Sequence, residues 1–104
     1  MSRYPVPYKS AKPFFRKLLR DAEVRILYEE ERAKSEIAMA VRAARRRSNL
    51  TQAALARKIG STQAVIARLE SGTDSRTPSL PLLAHIAAAC HGRLELGFKF
   101  KHAA

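Results

Sequence analysis

The sequence is poor in the residues on which several kinds of protein depend. Among its 104 residues, Cys90 is the only cysteine and tryptophan is absent. One cysteine permits neither an intrachain disulfide nor a cluster of thiolate ligands. His85, His91 and His102 do not compensate, because His85 lies on a different helical face from Cys90 and no ligand pair has the spacing of a structural zinc site. We therefore expect no metal and no cofactor.

Long apolar runs and enzyme motifs are also missing. No apolar stretch approaches the roughly 18 residues that a membrane-spanning helix needs, and the N-terminus lacks the apolar segment of a secretion signal. We expect a cytoplasmic protein without a membrane partner. We do not expect an enzyme, because the sequence contains no glycine-rich phosphate loop, no nucleophile elbow and no isolated carboxylate pair with apolar flanks.

Acidic residues are few, and charges are distributed in blocks. Lys and Arg number 20 against 9 Asp and Glu, and the formal net charge of +11 favours a polyanionic partner, with nucleic acid first. Residues 1–20 carry six bases and no acid, residues 21–36 six acids and three bases, and residues 37–58 six bases and no acid. We interpret residues 42–47 of the last block, which include Arg42, Arg46 and Arg47, as a source of phosphate contacts. Solvation of a helical surface is the alternative.

The first half of the chain has helical periodicity. Asp21 is a suitable N-cap for a helix that begins at the next residue. The apolar face of this helix is interrupted by residues 29–32, resumes at Ile37 and ends near Arg47. We expect an N-terminal arm and helix over residues 1–36, ahead of a separate domain that begins at residue 37.

Two short helices separated by a tight turn are predicted at residues 52–71. Thr51 is a suitable N-cap for the first helix and Ser61 for the second. Gly60 can adopt the positive φ of a sharp turn, and Gly72 can end the second helix. A helix-turn-helix also needs a small residue where its helices meet and branched apolar residues that hold the second helix in place. Residues of these types are Leu55, Ala56, Ile59, Ile66 and Leu69.

After a polar loop, Ser79 is a suitable N-cap for a last helix that stops at Gly92. The period then changes to two, because Leu94, Leu96, Phe98 and Phe100 alternate with Glu95, Gly97, Lys99 and Lys101. This pattern predicts one amphipathic strand. No second strand is visible, and an unpaired apolar strand leaves backbone donors and acceptors open. We predict that residues 93–104 pair with the same strand of a second subunit, across the two-fold axis of a homodimer.

The stretch of residues 52–71 resembles the phage-repressor class of helix-turn-helix, called the Xre or Cro type. The resemblance includes Thr51-Gln52 at the start of the stretch and Leu69-Glu70-Ser71-Gly72 at its end. The resemblance covers residues 37–92. It implies a five-helix phage-repressor-like domain whose second motif helix lies in the major groove of double-stranded DNA, at a pseudo-palindromic operator. The whole fold is then mainly α, with an N-terminal helical extension and one C-terminal β-strand that pairs across the dimer.

The same resemblance implies roles for individual residues. The residues that face the base edges would be Thr62, Gln63, Ala64 and Arg68, in keeping with the preference of Gln for adenine, Arg for guanine and a methyl group for thymine. Phosphates would be held by Gln52 and Ser61, with Thr73, Ser75 and Arg76 as weaker candidates. Arg45 would form a structural ion pair with Glu70. The alternative is that Arg45 contacts phosphate beside Arg46 and Arg47.

The segment before the domain looks like the amino-terminal region of HigA-type antitoxins, which cover a partner toxin and repress their own promoter. The residues implied to contact the toxin are Phe14, Phe15, Leu18, Leu19, Val24, Leu27 and Tyr28. The resemblance implies a DNA-binding repressor that neutralises a ribonuclease-like toxin and autoregulates its operon.

The basic arm departs from the antitoxin pattern, because such toxins are often basic. The acidic residues Glu29, Glu30, Glu31 and Glu36 can instead provide the complementary charge. Three alternatives stay open: an N-terminal helix that only packs on its own domain, a stand-alone phage-type regulator without a toxin, and an inhibitor that acts purely by protein contact.

Overall fold

The computed structural model describes residue 16, residues 21–74 and residues 76–100. Four α-helices have their bounds within these residues: α1, Ala22–Arg47; α2, Gln52–Ile59; α3, Gln63–Ser71; and α4, Leu80–Ala89. The prediction of a mainly α-helical chain is confirmed. Four predicted toxin contacts and one phosphate candidate lie outside the described residues, namely Phe14, Phe15, Leu18, Leu19 and Ser75.

The five-helix count for residues 37–92 needs correction. The four helices that periodicity and caps predicted there are present, but the described part of that range contains no fifth helix, which only the resemblance implied. Between α3 and α4 the chain forms a loop in which the side chains of Ser71 and Asp74 accept hydrogen bonds from backbone N–H groups. Such local bonds compete with helix formation.

Helix α1 is continuous over 26 residues, and residues 29–32, where the apolar face was predicted to be interrupted, are all exposed. The charged residues there are good helix formers and pair along the helix surface, Arg32 with Glu29 at 3.1 Å and Lys34 with Glu31 at 3.4 Å. At the start of α1 the Asp21 carboxylate accepts hydrogen bonds from two backbone N–H groups of the first turn, which confirms the predicted N-cap.

Backbone contacts divide the chain into two units, Met1–Ser35 and Glu36–Ala104. In the first unit, α1 carries three large apolar side chains that are each more than half exposed: Ile26, Leu27 and Tyr28. Val24, on the same helix, is half-buried.

The hydrophobic core of the second unit is small and draws on all four helices. It consists of Val41, Leu55, Ala56, Ile66, Leu69 and Ile86, with Ile37, Ile59, Leu83 and others packed against it. Leu55 and Ile66 are completely buried, so each stabilises the fold by about 1.5–3 kcal/mol relative to an exposed side chain. Since α2 and α3 contribute most of these residues, the core holds the two motif helices together.

The turn between α2 and α3 begins at Gly60, whose φ of 68° confirms the predicted left-handed conformation. The predicted N-cap of α3 is wrong, because Ser61 completes the end of α2 by donating its N–H to the Ala56 carbonyl at 2.8 Å. Thr62 is the N-cap, and its hydroxyl accepts a hydrogen bond from the N–H of Val65 at 3.3 Å.

Helix α4 begins after Ser79, whose hydroxyl accepts the N–H of Leu82 at 3.2 Å and confirms that cap. It ends earlier than predicted, at Ala89, with His91 in the left-handed region at φ 60°. Gly92 donates its N–H to the Ala87 carbonyl at 2.8 Å and so completes the C-terminal cap.

The segment after α4 contains no β-strand within its described residues 93–100. A β-ladder needs a partner strand, and the described residues of one chain do not supply one. The alternating side chains Leu96, Phe98 and Phe100 are 77%, 92% and 87% exposed. Among the helices described here, none has the length and apolar character needed to cross a membrane.

Candidate DNA interface

Helix α3 has one buried and one exposed face. Ile66 and Leu69 are buried in the core, whereas Gln63, Ala64 and Arg68 are exposed. At about 100° per residue, Gln63, Ala64 and Arg68 fall within one arc of roughly 140°. Anchoring by the buried face therefore presents an amide, a methyl group and a guanidinium together at the surface.

The amide of Gln63 is held by another glutamine. Its Nε2 donates to Oε1 of Gln52 at 2.8 Å, and Nε2 of Gln52 donates in turn to Oε1 of Glu70 at 3.2 Å. Gln52 is half-buried, and both ends of its amide are bonded within the protein. Gln63 keeps its own Oε1 and a second N–H, which are the groups that a bidentate contact with adenine uses.

A buried ion pair supports this chain of amides. Arg45 donates from Nε to Oε2 of Glu70 at 2.6 Å and from Nη2 to Oε1 at 2.9 Å, and the side chains are 12% and 3% exposed. Nη1 of Arg45 donates to the Leu50 carbonyl at 2.8 Å. Every nitrogen of this guanidinium is thus bonded inside the domain, which accords with a structural pair rather than with a phosphate contact.

The protonation state of this pair is fixed by its surroundings. Burial alone raises the pKa of Glu70, but hydrogen bonds from Arg45 and Gln52 and the charges of Arg45 and Arg42 outweigh burial, and the pKa lies below its usual value. The hydrogen bond to Glu70 raises the pKa of Arg45, against the opposing effect of burial. Both groups are therefore charged near neutral pH.

Arg42 belongs to residues 42–47, which the sequence predicts to contact phosphate, and it lies one turn before Arg45. Its Nη2 donates to the backbone carbonyl of Glu70 at 2.7 Å, so it binds one of the last carbonyls of α3. The sequence signal for this contact was the spacing of three residues between Arg42 and Arg45, because residues at that separation share a helix face.

Asp74 is a residue to which sequence reasoning gave no role. Its Oδ2 lies 3.8 Å from Nε of Arg68, and its Oδ1 accepts the backbone N–H of Arg76 at 3.0 Å and the Nε of Arg76 at 3.3 Å. Hydrogen bonds from the backbone and then the side chain of Arg76 lower the pKa of Asp74. The available sequence signal was the position of this carboxylate between Thr73 and Ser75, two predicted phosphate contacts.

The remaining predicted phosphate contacts occupy different settings. Arg46 and Arg47 are exposed in the last turn of α1, and no hydrogen bond among the described residues links them to α3. Ser61 is half-buried and has its backbone N–H committed to α2. The hydroxyl of Thr73 is bonded to that of Ser71 at 2.8 Å. The part of the chain that the structure describes holds no cluster of His, Cys, Asp or Glu suited to a metal ion.

Comparison with known proteins gives one match. Residues 41–96, more than half of the chain, match the Helix-turn-helix family HTH_3, the Xre/Cro type. The matched range contains all of α2, α3 and α4. No curated protein and no solved structure matches the chain at a significant level.

Proposed function

The chain belongs to the Helix-turn-helix family HTH_3, which is typical of DNA-binding transcriptional regulators, and from this we propose that it is a sequence-specific repressor. The observation that carries the proposal is the exposed face of α3, where Gln63, Ala64 and Arg68 lie together over a buried anchor. In this proposal α3 is the recognition helix, which lies in the major groove, and the bound protein blocks the promoter.

Gln63, Ala64 and Arg68 each suit a different base. Gln63 can bind adenine through its free amide groups, Arg68 can bind guanine, and the methyl group of Ala64 can contact the methyl group of thymine. Thr62 is exposed at the start of the helix, beside these residues. Gln52 contributes indirectly in this proposal, because it holds Gln63 in place.

Basic residues around the motif supply the proposed phosphate contacts. Arg46, Arg47 and Arg76 are exposed, and Ser61 precedes the recognition helix with a free side chain. If about six phosphates are contacted per dimer, log Kobs should fall with log salt at a slope near −5. A slope shallower than about −2 contradicts this number of contacts.

The proposed repressor is a homodimer joined through residues 93–104. The support is the row of exposed apolar side chains at Leu96, Phe98 and Phe100, which alternate as in a strand although the described residues contain no strand to pair with them. We expect light scattering to give a dimer mass for the wild type and a monomer mass for Phe98→Gln. The matched control is Lys99→Gln, which introduces the same residue on the other face and should stay dimeric.

The dimer also predicts the form of the operator. Two copies of α3 related by a two-fold axis fit half-sites whose centres are roughly 34 Å apart on a pseudo-palindrome. Footprinting should protect both half-sites. Protection of only one half-site contradicts the dimer and leaves the helix-turn-helix assignment intact.

We further propose that the repressor is the antitoxin of a type II toxin–antitoxin pair. Supporting this, α1 exposes Ile26, Leu27 and Tyr28 beside the acidic residues Glu29 and Glu30, so the helix offers apolar contact together with negative charge. A basic ribonuclease has the complementary charge.

Co-expression with the product of a neighbouring gene tests the antitoxin proposal. We expect the wild type to co-purify with a small basic ribonuclease and to suppress its activity, and the double variant Leu27→Ser/Tyr28→Ser to lose both properties. Leu80→Ser, which removes an exposed leucine from α4, is the control and should behave as wild type. Operator binding without any such complex favours the stand-alone regulator.

A further inference from the structure

A single carboxylate lies between the arginine of the recognition helix and an arginine of the following loop. Oδ2 of Asp74 is 3.8 Å from Nε of Arg68, and the same oxygen accepts Nη2 of Arg76 at 3.4 Å. Asp74 is only 25% exposed at its side chain, whereas Arg68 and Arg76 are 51% and 71% exposed. The carboxylate therefore lies beneath two guanidinium groups that face solvent.

The loop that carries Asp74 is attached to the end of α3. The Ser71 hydroxyl donates to the carbonyl of Arg68 at 2.7 Å and accepts the backbone N–H of Thr73 at 3.3 Å. Gly72, at φ 70°, turns the chain back beside the helix. These bonds fix the path of the backbone between Arg68 and Thr73, so the fold brings the Asp74 carboxylate close to the Arg68 side chain.

The orientation of the pair leaves the reading edge of Arg68 available. Asp74 faces Nε of Arg68, and guanidinium groups form a planar fork in which Nη1 and Nη2 point away from the carbon chain. A bidentate contact with O6 and N7 of guanine uses such a pair of donors. An arginine side chain loses substantial rotamer freedom when it is fixed, and a neighbour that restricts it beforehand reduces that cost on binding.

Charge gives Asp74 a second effect. Two guanidinium groups near each other repel, and an intervening carboxylate offsets that repulsion. Asp74 thereby allows Arg76, a candidate phosphate contact, to lie close to Arg68 on the same surface.

Resting on the proposed DNA-binding function, we propose that Asp74 is a positioning residue for base readout, which holds Arg68 in the orientation that recognises guanine. Asp74 itself contacts no base. Its contribution is to discrimination between base pairs rather than to total affinity, because its negative charge is unfavourable toward phosphate.

The test uses the full-length protein, its footprinted operator and operators in which each G·C pair is replaced in turn by A·T. Arg68→Ala identifies the base pair that Arg68 reads, because discrimination there disappears. Asp74→Asn keeps an oxygen that can accept the N–H of Arg76 but removes the charge. We expect Asp74→Asn to lower discrimination at that base pair by about fivefold or more, the lower end of what a bidentate contact provides.

Three further expectations make the test specific. Discrimination at the other base pairs should stay unchanged, binding to non-operator DNA should stay equal or become tighter, and the double variant Arg68→Ala/Asp74→Asn should lose no more discrimination than Arg68→Ala. Glu23→Gln, which removes an exposed carboxylate from the first turn of α1, is the control for net charge and should match wild type. Thermal unfolding confirms that each variant is folded.

Several outcomes overturn the proposal. Wild-type discrimination in Asp74→Asn shows that the ion pair does not position Arg68. Equal tightening on operator and non-operator DNA shows that Asp74 only repels phosphate, and an equal loss at every base pair shows that it only supports the loop. These outcomes leave the DNA-binding function standing, whereas a wild type that distinguishes no DNA sequence overturns both.

Discussion

Arg45 and Glu70 form a bidentate ion pair between α1 and α3, with nitrogen–oxygen distances of 2.6 and 2.9 Å. Glu70 also accepts a hydrogen bond from the amide nitrogen of Gln52, and the amide oxygen of Gln52 in turn accepts a hydrogen bond from Gln63. Through Gln52, the pair therefore connects Glu70, near the end of α3, with Gln63, the residue that begins the exposed face of α3. Stability and the proposed base readout depend on the same carboxylate.

Loss of Arg45 should destabilise the domain strongly. Arg45→Met leaves the buried Glu70 carboxylate without its main partner, and breaking a buried pair in this way costs about 3–5 kcal/mol. Urea denaturation measures the change in the free energy of unfolding. Arg46→Met is the matched control, since Arg46 is exposed one residue later, and its effect should stay within about 0.5 kcal/mol. Equal effects of the two substitutions contradict a structural role for Arg45.

Glu70 should also make stability depend on pH. Its pKa in the folded chain lies below the value of about 4.3 expected in the unfolded chain, so its contribution is fully present above the unfolded value. The contribution is lost as the pH falls through the folded pKa. Urea midpoints should show Glu70→Gln most destabilised relative to wild type near about pH 7, with a deficit that shrinks toward about pH 3. A deficit that is constant over this range contradicts the depressed pKa.

Gln52 and Gln63 should act as a unit in operator binding. Removal of either amide breaks the 2.8 Å hydrogen bond between them, so Gln52→Ala should weaken operator binding although its amide points into the protein. In a double-mutant cycle with Gln63→Ala we expect a coupling free energy of about 0.5–3 kcal/mol. Gel-shift titrations measure each affinity, and additive effects argue that Gln52 acts independently of Gln63.

Gly60 should be needed for its backbone conformation alone. A Cβ at this position meets no atom within 4 Å, but φ is 68°, so Gly60→Ala should cost roughly 1–2 kcal/mol through backbone strain. Gly97→Ala is the control, because a Cβ there also meets nothing within 4 Å and no positive φ opposes it. Thermal unfolding should separate the two, and a neutral Gly60→Ala rules out strain at the turn.

Replacing His91 with glycine should relieve backbone strain of the kind that Gly60→Ala introduces. It holds a φ of 60° at the end of α4, where glycine is favoured, so His91→Gly should raise the free energy of unfolding by up to about 1 kcal/mol. The identical change at His85, exposed within α4, should lower it by about 0.5–1 kcal/mol. Changes of the same sign at both positions are incompatible with this account.

Local features of the fold were predictable because they depend on a few neighbouring residues. The caps at Asp21, Thr51 and Ser79 follow from side-chain oxygens that reach N–H groups two or three residues ahead. The turn at Gly60 follows from its missing Cβ. The cap of α3 was predicted wrongly, because the N–H of Ser61 completes the end of α2 and Thr62 occupies the N-cap position instead.

Periodicity and capping act over a turn or two, so they were sufficient to predict the helix-turn-helix, its apolar anchor and the exposed residues of α3. Which polar groups meet follows only from the folded chain, because Gln52 lies 11 residues from Gln63, and Arg42 lies 28 residues from the Glu70 carbonyl that it binds. The same holds for Asp74, whose position between two arginines depends on the path of a loop. Contacts of this kind depend on how the helices pack, and the order of residues alone does not encode their distances.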